Sequence, residues 1–343
     1  MSELSSSVSK GIGSPLFVLG NPRSGTTMFR LILTSHSKVG IPPETAFIIR
    51  LYPRFGHVKR FDEKTLVRFE ADLNSVAIDL QSHWKTATRD LMACKEDFIG
   101  RSYSEVCAQL YRNFHEVQGL GSVEIWGDKN NAYGNYLDVL NHLFPTARFI
   151  HVVRDGRAVL NSHKKLRTND MHKFAPVLPK SARAVAIRWV DMVSRIDRHL
   201  ALKAPGRHLA VRYEDVLQDF RPTMDRVCEF VGLQYEEAMR DFDQLNRKFE
   251  LEPREYSWKQ STFKPLDPSK TGSWLKELEL QEIAIFEREA ADVLARYGYV
   301  LETGVGPNAM GRRFRPEICK GRVREFMRSV RFMAIRGRSM IGL

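Results

Sequence analysis

From Gly20 to Thr27 the chain reads Gly-Asn-Pro-Arg-Ser-Gly-Thr-Thr. Those residue types at that spacing suit the binding of an anion. Glycines let the backbone turn tightly and approach a ligand. The hydroxyls of Ser24, Thr26 and Thr27 can donate, and Arg23 adds a fixed charge on a forked donor set. Gly20 and Gly25 have the spacing of the phosphate-binding loop G-x-x-x-x-G-K-[ST], and Thr27 stands at the place of its magnesium-binding hydroxyl. Thr26, however, occupies the lysine position. Without that lysine the loop is poorly equipped for a magnesium-bound triphosphate, but it still suits one phosphate carrying a further anionic group. The alternative is an ordinary strand-turn-helix corner, which four polar residues crowded into one turn argue against.

Other residues have the chemistry to complete such a site. Arg154 closes an apolar run at 148–153, and Ser162 lies two turns into the helix expected after it, so both can face one anion. Lys129 follows a strand candidate at 123–127, at the carboxyl end where open α/β sheets bind ligands. Pro42 and Pro43 force an extended backbone and would hold Glu44 in a defined place near the cradle. The plainer readings are a solvated arginine at a strand end and a loop carboxylate paired with a neighbour such as Arg50. His36, His115, His142, His151 and His163 have no sequence partners that single them out. The chain has no H-E-x-x-H, no acid cluster at metal-ligand spacing and no G-x-S-x-G.

The elements needed to position these groups can be read from apolar periodicity. Residues 16–19 form a short continuous apolar run, as a fully buried parallel strand does, and 26–34 read as helix. A strand, a glycine-bounded turn and a helix N-terminus aim free N–H groups at one point, where the helix dipole adds positive potential. Residues 39–54 read as a proline-containing connection and 61–114 as helices that cap a sheet and bound a pocket for a second reactant. Strands are expected at 123–127, 148–153 and 208–213. Helices are expected at 136–143, 158–166, 182–202, 221–231 and 275–297, with an irregular lid at 249–272. Strand-then-helix units of this kind predict an α/β fold, a parallel sheet flanked by helices around a P-loop-like nucleotide-binding core.

The chain has 343 residues, 43% hydrophobic and 27% charged, within the ordinary range for a globular protein. Four scattered cysteines without a C-x-x-C pair argue against a zinc site or disulfide framework and suit a reducing compartment. Residues 1–14 are polar and read as a flexible N-terminus without a signal peptide. With no apolar run long enough to span a bilayer, the expectation is a cytoplasmic protein, peripheral to a membrane at most. The net charge of +12 is concentrated at the end: from Thr303 onward ten basic residues face two acids. The body therefore does not have the charge of a nucleic-acid-binding protein. In the tail, residues 301–343, Val323, Phe326, Met327, Val330, Met333 and Ala334 recur at helical spacing among arginines. Such a helix could pack on the body, mediate self-association or contact an anionic membrane, and the alternative to a helix is a disordered tail.

The run from Pro22 to Thr27 resembles the 5'-phosphosulfate loop of sulfotransferases that use 3'-phosphoadenosine 5'-phosphosulfate (PAPS), and the resemblance covers residues 15–300. It implies that Arg23, Ser24, Gly25, Thr26 and Thr27 hold the 5' side of PAPS, and that Arg154 and Ser162 hold its 3'-phosphate. Tyr213, in Tyr213-Glu214-Asp215, resembles the tyrosine that helps hold the nucleotide. Lys270, Thr271 and Gly272 resemble the segment that closes over the 3'-phosphate, with Ser261 and Lys264 as weaker candidates. The motifs are most similar to the protein-tyrosine sulfotransferase subgroup, in which a Glu-Thr pair follows the loop and its glutamate is the general base. Glu44-Thr45 matches that pair. Lys129 matches the lysine that stabilises the transferring sulfuryl group, with Arg23 sharing the charge. The resemblance implies no metal, and an acceptor hydroxyl on a small molecule, lipid, sugar or peptide, its identity shaped by residues 55–123. The competing readings are a kinase-like P-loop phosphotransferase and a non-catalytic PAPS-binding module.

Overall fold

The computed structural model describes residues 13–77, 84, 90–117, 119, 123–166, 178–244 and 260–304. Among them is a sheet of five parallel strands in the order β2-β3-β1-β4-β5: β1 (Leu16–Gly20), β2 (Val39–Gly40), β3 (Ile125–Lys129), β4 (Arg148–Val153) and β5 (His208–Arg212). β1 lies at the centre with β3 on one side and β4 on the other. The connections therefore reverse direction around it, and ligands bind such sheets at that reversal, beyond the carboxyl ends of the strands.

The alternation of side chains along β1 explains its unbroken apolar sequence. Phe17 and Leu19 enter one core cluster, beneath the helices that follow β2, and Leu16 and Val18 enter another on the opposite face. Both faces are covered, so every position is apolar. The first cluster is dominated by aromatics from α2 (Phe47–Phe55), α3 (Glu63–Ala77) and α4 (Tyr103–Val117), including Phe47, Phe69 and Tyr111. The second is covered by α1 (Thr26–Thr34) and by α9 (Phe220–Val231), which follows α8 (Tyr213–Gln218). α5 (Leu137–Leu143) precedes β4. A third cluster joins α6 (Gly156–Lys165), α7 (Ala182–Lys203), α10 (Trp274–Glu277) and α11 (Leu280–Arg296).

Several expected boundaries move. The connection at 39–54 contains a two-residue strand and a helix: Val39 and Gly40 pair with Ile125 and Trp126, and Phe47, Ile48, Leu51 and Phe55 bury one face of α2. Pro53 sits close enough to the end of α2 to be carried. β3 lies two residues later than expected, so Asp128 and Lys129 are within the strand. Polar residues argue for a strand end only while they lack partners, and Asp128 finds two tyrosine hydroxyls. β5 stops at Arg212, so Tyr213 opens a helix. The helix expected at 275–297 is broken at Leu278 and Glu279, where Glu279 and Glu282 form a reciprocal capping box. The lid contains short 3-10 turns at Gln260–Phe263 and Pro268–Lys270, while 245–259 lie outside the described residues. The tail helix expected from Val323 to Ala334 also lies outside them.

Candidate functional site

The cradle begins where β1 ends. Ser24 N–H donates to the Asn21 carbonyl at 3.1 Å, and Phe29 N–H donates to the Gly25 carbonyl at 3.0 Å as α1 starts. Arg23 (φ 72°) and Gly25 (φ 82°) both take left-handed backbone. For an arginine that conformation is costly, and such strain gathers at ligand-binding loops. Gly25 has a second constraint, because a Cβ there would lie 2.3 Å from the Tyr213 ring. α1 has no side-chain cap and no acid in its first turn, so its leading N–H groups keep their positive potential. Ser24 is fully buried, and its hydroxyl oxygen has no partner among the described residues. A buried polar atom without a partner, at an uncapped helix N-terminus, fits an anion bound in the loop.

The second set of residues meets the first directly. Arg23 Nε donates to Ser162 Oγ at 3.1 Å, and Arg154 Nη1 donates to the Arg23 carbonyl at 3.1 Å. The Arg154 guanidinium lies 4.6 Å from the centre of the Tyr213 ring. Burial, and after it the charge of Arg154, pulls the Arg23 guanidinium below its ordinary pKa. Two arginines drawn together in a buried place repel, and an anion between them relieves that repulsion.

At the opposite side of the cradle, the extended segment after β2 is fastened by its carbonyls. Ile41 O accepts from Arg30 Nη1 at 2.9 Å and from Thr34 Oγ1 at 3.2 Å, and Pro43 O accepts from Trp84 Nε1 at 3.0 Å. Glu44 therefore sits on a backbone held from both directions, with Ala46 in left-handed conformation (φ 57°) just beyond it. The Glu44 carboxylate is ion-paired with the Lys129 ammonium. Lys129 is 1% exposed and also donates to Thr27 Oγ1 at 3.1 Å, while the Glu44 side chain is 38% exposed. Lys129 thus bridges the cradle and a carboxylate open to solvent. Thr26 Oγ1 donates to Asn131 Oδ1 at 3.2 Å and ties α1 to the segment after β3.

Lys270, Thr271 and Gly272 are placed differently. Lys270 is half-exposed and faces Asp267 at 3.6 Å, and Thr271 Oγ1 donates to the Pro268 carbonyl and accepts from Gln218 Nε2. The segment packs at the end of α8 and is not hydrogen-bonded into the Arg23–Arg154–Ser162 group. Among the histidines, His151 pairs with Asp197, and His36 is hydrogen-bonded to the Gln234 carbonyl. Burial pushes His115 and His163 down to about 4, and His163 is also depressed by the charges of Arg23 and Arg188.

Sequence reasoning missed four supports of the site. Asp128 is buried in β3 beside Lys129, accepts from the hydroxyls of Tyr111 and Tyr133, and is pushed up to about 6 by burial. Trp84 and Asn131 act across folds of the chain that no local spacing reveals. Asp155 and Arg157, which local spacing does not single out, join Glu287 in a buried ion network. Among the described residues no group of His, Cys, Asp or Glu is arranged to hold a metal, and no helix is long and apolar enough to cross a membrane.

The family profile described as the sulfotransferase family matches residues 15–237. Protein-tyrosine sulfotransferase 2 of Gallus gallus is 23% identical over 300 residues, covering 83% of this chain and 69% of that protein. The omega-hydroxy-beta-dihydromenaquinone-9 sulfotransferase Stf3 of Mycobacterium tuberculosis is 28% identical over 176 residues, covering 50% of this chain and 40% of its own length. Among solved structures, the sulfotransferase domain from the curacin biosynthetic pathway shares the fold with a TM-score of 0.57 at 18% identity, over 84% of this chain and 99% of that one.

Proposed function

This chain belongs to the sulfotransferase family, an enzyme family of sulfuryl transfer to hydroxyl acceptors, and on that premise we propose that its donor is PAPS. The observation that carries the reading is the joined group at the cradle: Arg23 bonded to Ser162 and Arg154 on one side, Lys129 bonded to Thr27 and Glu44 on the other. A nucleotide with phosphates at both its 3' and 5' positions matches two basic subsites meeting at one arginine. The donor supplies an activated sulfuryl group, and the chain's own residues do the rest.

Arg23, Ser24 and the leading N–H groups of α1 hold the 5' side, and Arg154 and Ser162 hold the 3'-phosphate. Tyr213 is the platform under Arg154. The Lys270–Gly272 segment, seated at the end of α8 and outside this group, is the segment that would have to approach to cover the 3'-phosphate. An acceptor hydroxyl arriving at the exposed edge of Glu44 loses its proton to that carboxylate. Lys129, one hydrogen bond from the cradle, places positive charge where negative charge builds during transfer. Its ion pair with Glu44 keeps that carboxylate aimed at the cradle until the acceptor arrives. Protein tyrosine and a hydroxylated menaquinone, named for the relatives, share only the hydroxyl, so the proposal for this chain is a hydroxyl acceptor on a small molecule, lipid, sugar or peptide.

Calorimetry tests the donor assignment. 3'-Phosphoadenosine 5'-phosphate should bind without added metal, and ATP with magnesium should bind far more weakly. The reverse preference would make the cradle a kinase-like triphosphate site. Binding of the bisphosphate with no sulfuryl transfer to any hydroxyl, in a protein whose Glu44 is intact, would instead indicate a binding module.

A further inference from the structure

Arg157 is 2% exposed and Glu287 is fully buried, yet neither takes part in the chemistry above. Arg157 points its donors in three directions. Its Nε and Nη2 reach the two carboxylate oxygens of Asp155 at 3.0 and 2.8 Å, and its Nη1 reaches Glu287 Oε1 at 2.5 Å and the Val300 carbonyl at 2.8 Å. Its guanidinium also lies 4.0 Å from the centre of the Trp274 ring. Glu287 fastens the chain beyond α11, accepting from the N–H groups of Glu302 and Thr303 at 2.9 and 3.0 Å and from the Thr303 hydroxyl. Asp155 N–H donates to Glu214 Oε1 at 3.0 Å, and Glu214 Oε2 accepts from the Tyr299 hydroxyl at 2.7 Å.

Three arms of this network, through Asp155, Glu214 and Trp274, end near proposed donor-binding residues, and the arms to Val300, Glu302 and Thr303 fasten the chain after α11. Asp155 follows Arg154 and caps α6 by accepting from Arg157 N–H, which sets the spacing of Arg154 and Ser162. The bond from Asp155 to Glu214 fixes the end of β4 against the start of α8, where Tyr213 lies beneath Arg154. The stack on Trp274 holds the end of the lid, two residues beyond Gly272. The same network walls a cavity of about 280 Å³ whose other lining includes Gln218, Thr271 and Gly272. The lid end thus borders this open cleft at Thr271 and Gly272, while Trp274 beside it packs into the third core cluster.

We propose that Arg157 and Glu287 are positioning residues for the donor site: through Asp155, Glu214 and Trp274 they clamp the strap at 299–303 and the lid end onto the end of β4, and so hold Arg154, Ser162, Tyr213 and the Lys270–Gly272 segment in register. This rests on the donor reading above. A carboxylate-to-amide change at Glu287 keeps volume but leaves the Arg157 charge with one anionic partner fewer, and the strain is passed to Arg154 through two bonds.

The test is calorimetry with 3'-phosphoadenosine 5'-phosphate on the full chain, for Glu287→Gln, Arg154→Ala and the double variant, with thermal denaturation alongside. Glu287→Gln should weaken binding about tenfold at temperatures well below its Tm. Arg154→Ala should cost less in that background than in the wild type, because residues acting through one geometry are not additive. A folded Glu287→Gln variant with wild-type affinity, or with losses that add in full, makes the network purely structural and overturns the proposal. If Glu287→Gln does not fold, Thr303→Val removes a single hydroxyl donor to Glu287 and should weaken binding about threefold. Unchanged affinity there overturns the proposal equally. Failure of the wild type itself to bind the bisphosphate removes the donor reading, whereas wild-type binding with indifferent variants removes only this one.

Discussion

The two sides of the cradle are built by different means. On the proposed donor side, Arg23, Arg154 and Tyr213 sit at or just after the ends of β1, β4 and β5, which parallel register brings together, and Ser162 reaches them from two turns into α6. On the acceptor side, Glu44 stands on an irregular segment whose carbonyls are held by Arg30, Thr34 and Trp84, and its partner Lys129 comes from β3. The proposed donor site is therefore positioned chiefly by the sheet. A base on a fastened loop depends on aromatic packing among Phe47, Trp84, Tyr111 and Phe114, whose ring centroids lie 4.6–5.7 Å apart.

If the division is sound, changes on the acceptor side alter turnover, and changes on the donor side alter donor affinity. The largest expected effect is at Glu44. Glu44→Gln should lower kcat by about two orders of magnitude or more, as loss of a general base does, while calorimetric affinity for the bisphosphate stays near wild type. Lys129→Met should lower kcat on a similar scale, about 10²-fold, through lost charge stabilisation. A parallel loss of donor affinity in Glu44→Gln would break the comparison. A smaller effect is expected on the donor side, where Arg154→Ala should weaken bisphosphate binding about ten- to hundredfold and Ser162→Ala less, since a charge-assisted contact is worth about 1.5–3 kcal/mol. Unchanged affinity in Arg154→Ala would remove the second subsite.

The smallest effect is on stability and distinguishes the sides through their buried histidines. His115, packed in the acceptor-side core, and His163, beside Arg23, are both held down to about 4 by burial. Between about pH 6.5 and 4 the unfolded chain binds those protons and the folded chain does not, so stability falls as pH falls through this window. Asp128, raised to about 6, acts in the opposite sense over much of the same range but is one group against two. Thermal denaturation against pH should show a net acid-side loss, and His115→Asn should flatten it. Bound bisphosphate, which places negative charge near Arg23, should offset the share of His163 and leave that of His115. An acid-side slope unaltered by His115→Asn would count against a neutral buried imidazole there.

Much of the donor side was legible because its information is local. Leu16 to Gly20, Thr26 to Thr34 and Arg148 to Val153 follow from apolar runs closed by a turn or a helix start, and Arg23, Arg154 and Ser162 lie at fixed distances from those runs. The sheet class follows from the same alternation of strand and helix. β2 was not legible, because two residues carry no period and become a strand only by pairing with Ile125 and Trp126. β3 runs two residues past the apolar run because the hydroxyls of Tyr111 and Tyr133 satisfy Asp128 inside the strand, and those partners come from elsewhere in the chain.

Side-chain type and spacing within one strand-turn-helix unit are enough to specify the parallel α/β class, the turn after β1 and the polar residues that line it. Only the tertiary structure decided that Lys129 pairs with Glu44, that Arg23 joins Ser162 and Arg154, that Trp84 holds the backbone before Glu44, and that Glu287 reaches Arg157. Those contacts join residues far apart in the chain. Which of many chemically suitable partners meet is set by sheet order and helix packing, and no local pattern of the chain encodes that choice.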